Sequence, residues 1–472
     1  MKKIIFIFIL IIHVCLAFAQ DEIQSDSNFF PIAVWLQSTF NATKYKDAGI
    51  NLYVGLWDSL DTKQLADLHS ANMKVMCSQT EYGIAHNDDT LICGWTLGDE
   101  PDNAQWNDST KKYDPCIPPA KIIAQYDSIK AKDSTRPIYL NLGQGVAWIE
   151  YYGRGACSGN IDTYKLNKDG YIKGCDIVSF DIYPINSSDT ATQDKLWYVA
   201  KGIDSLISWG NNKKPEWCWI ETTQISNTSP RKPTPAEVKA EVWMALIHGA
   251  KGFGYFCHSW YPTFNEWALL SDTVMLAAVK AINEQVTSLA PVLNSHDLRL
   301  QAEVTSSNPS IPIDIMTKSY DGNHYIFAVP VRKGSTTVTF SFGYMDSVVV
   351  IGENRTIKTT NGEFRDDFSD YSVHLYKIMS KPNSVKQSNN IDGIRIYPNP
   401  SDGKFNLESN GLTGTINLSL YSIQCELLFT ENFNSNNEYF KKQLDFSLFP
   451  KGFYFLKIAC NGLIRCEKIY IV

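Results

Sequence analysis

The sequence predicts an α/β fold: a (β/α)8 TIM barrel, followed by an all-β sandwich and a small all-β C-terminal domain. From about residue 28 to 293, short apolar runs alternate with helical patterns, which is typical of a parallel sheet covered by helices. From 294 to 379 the pattern changes to short alternating runs separated by turns, as in a β-sandwich. A polar, unpatterned linker at 380–390 then leads to a last β-type region at 391–472.

Residues 1–19 form a predicted signal peptide. Two lysines precede an apolar stretch from Ile4 to Leu16, and Ala17-Phe18-Ala19 supplies a small-x-small cleavage site. The apolar stretch is too short to remain as a membrane span, and no later segment is apolar enough to form one. We therefore expect an exported protein without stable membrane insertion.

Eight strands make up the predicted barrel, and amphipathic helical patterns lie between them. The predicted strands are Ile32–Gln37, Asn51–Gly55, Lys74–Gln79, Cys93–Gly98, Ile138–Leu142, Ile177–Tyr183, Trp217–Thr222 and Phe253–Trp260. The predicted helices include Thr62–Ala71, Ala120–Lys132, Lys195–Trp209, Pro235–His248 and Ser271–Leu289. No G-x-G-x-x-G follows the first strand and the sequence has no P-loop, which argues against a nucleotide-binding open sheet.

Composition and short motifs exclude several classes of function. The formal net charge is −7 and the chain has no basic run, so no nucleic-acid partner is expected. The histidines are dispersed without an H-x-x-x-H or H-x-H set, and G-x-S-x-G is absent. Neither a metal centre nor a Ser-His-Asp esterase is therefore predicted, and no cofactor is expected. The 12 Trp residues fit either a large core or surfaces on which sugar rings stack.

The cysteines are scattered singly, without a close C-x-x-C pair. Because export permits disulfides, two loop pairings are considered: Cys93 with Cys116, and Cys157 with Cys175. Three other cysteines lie within apolar strands, where a buried free thiol is expected: Cys77, Cys218 and Cys257.

Two acidic residues follow buried strands in the predicted barrel. Glu100 follows the fourth strand in Gly98-Asp-Glu-Pro101, and Glu221 ends the seventh strand in Trp217-Cys-Trp-Ile-Glu221. The carboxyl ends of barrel strands meet at one face, where the active sites of such barrels lie. Glycoside hydrolysis uses two carboxyl groups in that way, one to protonate the leaving oxygen and one to attack or to activate water.

This placement resembles that of the clan A retaining glycoside hydrolases, with an acid/base Glu on strand four and a nucleophile Glu on strand seven. The resemblance implies that Glu100 is the general acid/base and Glu221 the nucleophile. It also implies that Tyr183 donates a hydrogen bond to the nucleophile and that Trp260 is a stacking platform for sugar. The chain departs from the family at Asp99, where an Asn that contacts the sugar 2-hydroxyl usually precedes the acid/base.

Other residues near the strand ends are alternatives or candidate contacts. Asp181 and Asp99 are the acids of a rival inverting mechanism, and Glu81 is a weaker rival. The predicted pocket-lining residues are Asn141, Gln79, Trp35 and His258, although Trp35 could equally be core packing and His258 a satisfied core histidine. A structural interpretation also stays open, in which Glu100 opens a helix and Glu221 pairs with Arg231 or Lys232. A non-catalytic glycan-binding protein on a degenerate barrel is the second rival.

The last region closely resembles the type A C-terminal sorting domain of type IX secretion. Three motifs carry the resemblance: Tyr397-Pro-Asn-Pro400, Phe449-Pro-Lys-Gly-Phe-Tyr454 and the final Lys468-Ile-Tyr-Ile-Val472. The resemblance implies passage across an outer membrane, followed by release or attachment at the cell surface. The expected partners are therefore a carbohydrate substrate and the type IX secretion machinery.

Overall fold

The computed structural model describes residues 26–154, 157, 159–295, 302–342, 347–379, 393–410, 412–422, 427–436, 439–460 and 463–472. The predicted signal peptide and the predicted linker at 380–390 lie outside the described residues. The chain divides into two compact units at residue 380. The first unit contains the barrel and the sandwich, and the second contains the C-terminal strands.

Eight parallel strands close into a barrel, which confirms the predicted fold. Each strand pairs with the next in the sequence, and the first pairs with the eighth. They are β1 (Ile32–Trp35), β2 (Leu52–Val54), β3 (Lys74–Cys77), β4 (Ile92–Thr96), β5 (Ile138–Leu142), β6 (Ile177–Asp181), β7 (Glu216–Glu221) and β8 (Gly252–Phe256). Several strands are shorter than predicted at their carboxyl ends, because there the chain leaves the ladder to form the loops that carry the site.

Tryptophan side chains fill the interior of the barrel. Trp217 and Trp219 of β7 are buried inside it, and the Trp219 indole N–H donates to the Tyr139 hydroxyl at 2.8 Å. A Cβ atom at Gly252 or Gly254 of β8 would lie 2.4 Å or 2.0 Å from these indole rings, so only glycine fits beside them. The barrel is therefore a packed core, and any substrate must bind at its end.

Helices cover the barrel, and local sequence signals account for their ends. Capping boxes begin two helices: Asp61 with Gln64, and Thr234 with Glu237. The helices are α1 (Ala42–Asp47), α2 (Thr62–Ser70), α3 (Glu81–Ala85), α4 (Pro119–Lys132), α5 (Trp197–Gly210), α6 (Pro235–Ile247), α7 (Ala268–Ser271), α8 (Thr273–Ser288) and α9 (Ala290–Leu293). No helix among the described residues is long and apolar enough to cross a membrane.

A β-sandwich follows the barrel and packs against α6. Its eight strands are β9 (Glu303–Ser306), β10 (Ile313–Tyr320), β11 (Asn323–Pro330), β12 (Thr336–Ser341), β13 (Ser347–Val350), β14 (Arg355–Lys358), β15 (Glu363–Phe368) and β16 (His374–Met379). They form two antiparallel sheets, ordered β9-β12-β15 and β10-β11-β16-β13-β14. Trp243 of α6 lies 5.2 Å from Phe327 between ring centres, so α6 is buried between the barrel and the sandwich.

The second unit is all-β. Its strands are β17 (Arg395–Tyr397), β18 (Lys404–Asn410), β19 (Gly414–Tyr421), β20 (Leu427–Ser435), β21 (Tyr439–Asp445), β22 (Gly452–Cys460) and β23 (Leu463–Ile471). They form sheets ordered β17-β18-β21 and β20-β19-β22-β23, around a core that includes Phe405, Leu418 and Leu456. Along β18 and β22, buried residues alternate with more exposed neighbours, as the period of a half-buried strand requires.

A histidine links the barrel helices to the sandwich. His248, which caps α6, contacts Asp204 of α5 at 2.8 Å and Asp314 of β10 at 2.9 Å. Burial disfavours the charged imidazole, but the hydrogen bonds and charges of the two aspartates outweigh it and raise the pKa of His248 to about 9. His248 is therefore charged at neutral pH and joins the two domains of the first unit.

We predict that this link weakens at alkaline pH. The folded pKa lies above the unfolded value of about 6.5, so the stabilisation is complete below that value and is lost as pH rises through about 9. Calorimetry at several pH values should show that His248→Gln costs roughly 1–3 kcal/mol near pH 6 and almost nothing near pH 10. An equal cost at both pH values would contradict the ionic origin of the link.

Candidate active site

Glu100 sits in a strained turn at the carboxyl end of β4. Its φ angle is +42°, in the left-handed region that residues with a Cβ atom rarely adopt. The backbone N–H of Glu100 donates to the Asn141 carbonyl of β5 at 3.1 Å, which holds the turn against the barrel. Strain of this kind persists where the surrounding structure fixes it, and it concentrates at functional sites.

Two donors hold the Glu100 carboxylate. Oε2 accepts from the Asn103 side-chain amide at 3.0 Å and forms an ion pair with Arg154 at 3.1 Å. The Glu100 side chain keeps 19% of its surface exposed, so it reaches the solvent at the barrel mouth. A Cβ atom at Gly143 would lie 3.2 Å from Oε1, so a glycine there allows the carboxylate to lie against the end of β5.

Asp181 ends β6 and lies beside Glu100. Burial raises the pKa of Asp181 well above its usual range, and the charges of Glu100 and Asp99 raise it further. Hydrogen bonding with Glu100 acts in the same direction, whereas a hydrogen bond from Tyr183 opposes it. Oδ1 of Asp181 is buried and has no hydrogen-bond partner among the described residues. These surroundings favour the protonated form of Asp181.

Asp99 and Asn141 form a polar wall between these acids. The Asn141 amide donates to Asp99 Oδ1 at 2.9 Å, and the Ser179 hydroxyl donates to Asn141 Oδ1 at 2.6 Å. The Asp99 side chain reaches solvent, but protein atoms surround its carboxyl group. This burial and the charge of Glu100 raise the pKa of Asp99 to about 7. Asp99, Asn141 and Asp181 thus meet at the mouth, as predicted from their strand positions.

Sequence reasoning missed three residues of this cluster: Asp102, Asn103 and Arg154. Asp102 accepts from the Gly143 N–H at 2.8 Å and from the Tyr164 hydroxyl at 2.9 Å. Burial raises the pKa of Asp102 to about 7 even though these hydrogen bonds oppose it. The Asp-Glu-Pro-Asp run could have signalled Asp102, but Arg154 lies in the loop after β5 without any local motif.

Glu221 lies in a different environment from Glu100. Its side chain is completely buried, and its carboxylate accepts from the backbone N–H groups of Ile185 at 2.6 Å and Asn186 at 2.9 Å and from the Asn186 side chain. Glu241 of α6 is near enough for the charge of Glu221 to raise its pKa, and both of its carboxyl oxygens are buried without a hydrogen-bond partner among the described residues. The charge of Glu100 raises the pKa of Asp99, Asp102 and Asp181. Different groups act on the pKa of Glu221, namely Ile185, Asn186 and Glu241.

The Glu221 carboxyl is therefore enclosed by protein. Burial raises the pKa of Glu221 to about 7, and it raises that of Glu241 well above the usual range. The alternative pairing of Glu221 with nearby cations is wrong too, since Arg231 contacts Glu237 and Lys232 contacts Asp272.

The donors that hold Glu221 are Ile185 and Asn186, and Tyr183 is not among them. Tyr183 lies near Asp181, whose charge raises its pKa, and its ring packs 5.1 Å from Phe256 of β8. The reason is geometric: Tyr183 lies beyond the end of β6, where its side chain turns towards the interior cluster of the barrel. Tyr183 thereby joins the acids of β4 and β6.

The remaining predicted contacts divide between the mouth and the core. Trp260 is 49% exposed at the mouth, which suits a stacking surface. Trp35 packs edge-on against Trp219 at 5.0 Å inside the barrel. Gln79 donates to the Ile129 carbonyl of α4 at 3.2 Å and so faces the helix layer, contrary to its predicted place in the pocket. Glu81 is exposed in the first turn of α3.

His258 is a satisfied core histidine, in line with the simpler of its two interpretations. It is buried, its Nε2 lies 2.9 Å from the Leu36 carbonyl, and burial lowers its pKa. The neutral ring therefore donates to that carbonyl. Its face stacks on Trp57 at 5.3 Å, so it supports an aromatic side chain at the mouth.

One disulfide joins two loops beside the acids. It connects Cys116, in the loop after β4, with Cys157, in the loop after β5, and their Cα atoms are 5.7 Å apart. The predicted pairings with Cys93 and Cys175 are wrong, since both are free thiols. Sequence spacing does not reveal which loops meet at the barrel mouth. The three thiols predicted to be buried and free are confirmed: Cys77, Cys218 and Cys257.

The C-terminal strands identify the export route. Residues 395–472 match the family model of the secretion system C-terminal sorting domain. This sorting domain confirms the predicted type IX export to the cell surface or the outside. No curated protein sequence is significantly similar to the chain.

Several solved structures of glycoside hydrolases are similar to about three quarters of the chain. A GH42 β-galactosidase from G. stearothermophilus is 8% identical, with a TM-score of 0.49, over 75% of this chain and 98% of that one. An α-amylase from Geobacillus thermoleovorans, complexed with acarbose, is 10% identical, with a TM-score of 0.47, over 75% and 99%. A GH30 endoxylanase from Clostridium papyrosolvens C71 is 10% identical, with a TM-score of 0.39, over 74% and 96%. At these identities the chemistry has to be inferred from the residues of this chain.

We predict that the disulfide stabilises the loops that carry Glu100 and Arg154. The bridge closes a loop with a sequence separation of 41 residues. Its loss through Cys116→Ser with Cys157→Ser should lower the free energy of unfolding by about 2–4 kcal/mol. Calorimetry with and without dithiothreitol should show that the reductant destabilises the wild type but not the double variant. An equal response in both proteins would contradict the prediction.

We also predict that Glu241→Gln stabilises the protein at alkaline pH. Both buried carboxyls have a folded pKa above their unfolded value, so the free energy of unfolding falls as pH rises above about 4.3. A glutamine at position 241 cannot ionise in this buried place, so the melting temperature should rise at pH 8.5 by about 2–4 °C per kcal/mol gained and change little at pH 5.

Glu284→Gln on the exposed face of α8 is the matched control for this substitution, because Glu284 is 65% exposed. It should leave the melting temperature unchanged at both pH values. A lower melting temperature of Glu241→Gln at pH 8.5 would contradict the predicted cost of ionising the buried Glu241 carboxyl.

Proposed function

We propose that the barrel is an exported glycoside hydrolase whose working carboxyl groups are Asp181 and Glu100. One observation carries the proposal: Asp181, whose pKa burial raises, lies beside Glu100 at the barrel mouth, and Glu100 is held by Arg154 and Asn103. Glycoside hydrolysis uses two carboxyl groups at one site, one as proton donor and one to attack the sugar.

The surroundings of Asp181 and Glu100 favour a different role for each. Asp181, with its raised pKa, protonates the glycosidic oxygen as the bond to the anomeric carbon breaks. Glu100 attacks that carbon and forms a glycosyl–enzyme ester, which water then cleaves while Asp181 takes back a proton. These roles differ from those that the family resemblance implies, in which Glu100 is the proton donor and Glu221 the nucleophile.

The closeness of the pair favours double displacement, with retention of configuration. Retaining pairs are about 5–5.5 Å apart, whereas inverting pairs are about 6.5–9.5 Å apart to admit a water molecule. Asp181 and Glu100 are close enough to share a hydrogen bond, so a small separation on substrate binding suffices for the retaining geometry.

Neighbouring groups support the same chemistry. Asp99 and Asp102 lie near Glu100, and negative charges so close together repel one another. The ion pair with Arg154 offsets this repulsion at Glu100. Asn141 is held by Asp99 and Ser179, so its amide has a fixed orientation near the sugar hydroxyls. The exposed ring of Trp260 offers a stacking surface for the sugar. Export fits a polysaccharide or oligosaccharide substrate outside the cell.

The central test compares three isosteric variants. Asp181→Asn and Glu100→Gln should each lower kcat by about 10²–10⁴-fold, because each removes a group that transfers a proton or bonds to the sugar. Glu221→Gln should retain most of the turnover, because that side chain is buried against α6. Activity is measured as reducing sugar released from a panel of α- and β-linked polysaccharides.

The outcomes separate the alternatives. A loss in Glu221→Gln equal to that in Glu100→Gln would favour the roles that the family resemblance implies. Inversion at the anomeric carbon, followed by NMR of the first product, would exclude a glycosyl–enzyme ester. Binding of a polysaccharide without release of reducing ends would make the barrel a glycan-binding protein.

A further inference from the structure

A cluster of exposed aromatic side chains lies at the barrel mouth beyond Trp260. Trp57, in the loop after β2, is 45% exposed, and Phe264 and Trp267, in the loop after β8, are 52% and 38% exposed. Large aromatics exposed next to one another mark a binding surface more often than those scattered singly. We call these three residues with Trp260 the aromatic cleft.

The aromatic cleft surrounds a cavity. Its volume is about 550 Å³, within the range of ~300–1,000 Å³ that is typical of small-ligand sites. Trp57 and Phe264 meet edge to face at 5.8 Å, and Trp260 lies 5.5 Å from Phe264. The cavity is lined by Trp57, Thr263, Phe264, Asn265, Glu266 and Trp267, and Trp260 adjoins it through Phe264. Apolar walls with a few polar groups are the composition that recognises a sugar ring.

Buried polar groups hold the cleft in shape. Glu266 is only 6% exposed, and its carboxylate accepts a hydrogen bond from the Trp57 indole N–H. The Glu266 carbonyl accepts from the Gln37 side chain at 2.6 Å, and Gln37 in turn accepts from the Tyr45 hydroxyl at 2.6 Å. The Trp57 ring is therefore anchored before any ligand binds, which lowers the entropic cost of binding.

The cleft is continuous with the proposed catalytic acids. Trp260 stacks at 6.0 Å on Phe256, Phe256 lies 5.1 Å from Tyr183, and Tyr183 hydrogen-bonds Asp181. A chain of sugars with one unit at Asp181 would thus extend over these rings. On the other side of the mouth, Arg154 and the disulfide border Glu100.

We propose that the aromatic cleft is a second sugar-binding subsite, which takes a neutral pyranose of the same chain that is cut at Glu100 and Asp181. The proposal rests on the proposed function and adds a substrate class to it. The flat C–H face of the pyranose stacks on Trp57 and Phe264, and its hydroxyls reach Glu266. A uronic acid is rejected because its carboxylate would meet that of Glu266 in a desolvated wall.

The test measures binding in an Asp181→Asn background, so that cleavage does not consume the probe. The probes are hexasaccharides of β-1,4-glucose, β-1,4-xylose, β-1,4-mannose and α-1,4-glucose, with hexagalacturonate as the anionic comparison, in titration calorimetry. At least one neutral probe should bind, and Trp57→Ala and Phe264→Ala should each weaken it about tenfold. Glu266→Gln should raise the affinity for hexagalacturonate.

Trp106→Ala is the matched control. Trp106 is 52% exposed and makes an edge contact with Tyr113 at 5.2 Å, on the hairpin in the loop after β4. Its removal should leave the affinity unchanged, and an equal loss would overturn the proposal. So would the absence of binding by every neutral probe, or unchanged affinity in both Trp57→Ala and Phe264→Ala once their melting temperatures confirm folding.

The subsite and the proposed function can fail separately. Release of reducing ends by the wild type tests the function, whereas the calorimetric affinities test the cleft. Binding that depends on Trp57 without any cleavage by the wild type would support the subsite and overturn the hydrolase.

Discussion

The cost of burying negative charge organises the carboxyl end of the barrel. Each acid there needs a proton or a donor, because an isolated carboxylate is poorly solvated away from water. The structure meets this need differently for each acid: an ion pair and an amide hold Glu100, backbone N–H groups hold Glu221, and burial raises the pKa of Asp181 and Glu241. Carboxyl groups in different surroundings are what acid–base chemistry uses.

The filled interior of the barrel makes this end the working face. Trp217 and Trp219 occupy the space beside two glycines of β8, so no channel runs through the barrel. Around the mouth, acids and Arg154 lie on the side of β4 to β6, and exposed aromatic rings lie on the side of β8 and β2. A carbohydrate needs both kinds of surface, polar groups at the bond that is cut and flat apolar rings for the neighbouring sugars.

The fold was predictable because its signals are local and repeated. Eight apolar runs separated by helical patterns leave few alternatives to a closed parallel barrel, and each run could be identified without its neighbours. The motifs of the sorting domain are equally local, since they consist of consecutive residues. Strand ends were less predictable, because the chain leaves the ladder where contacts between loops replace backbone pairing.

The sequence by itself determined that Glu100, Asp181 and Glu221 follow barrel strands and so lie at one end of the fold. Only the tertiary structure decided which way each carboxyl faces. Glu221 is held by the backbone N–H groups of Ile185 and Asn186, whereas Asp181 remains beside Glu100. The orientation of each carboxyl group depends on hydrogen-bond partners that lie far apart in the chain. A pattern of neighbouring residues does not show which distant residues will be those partners.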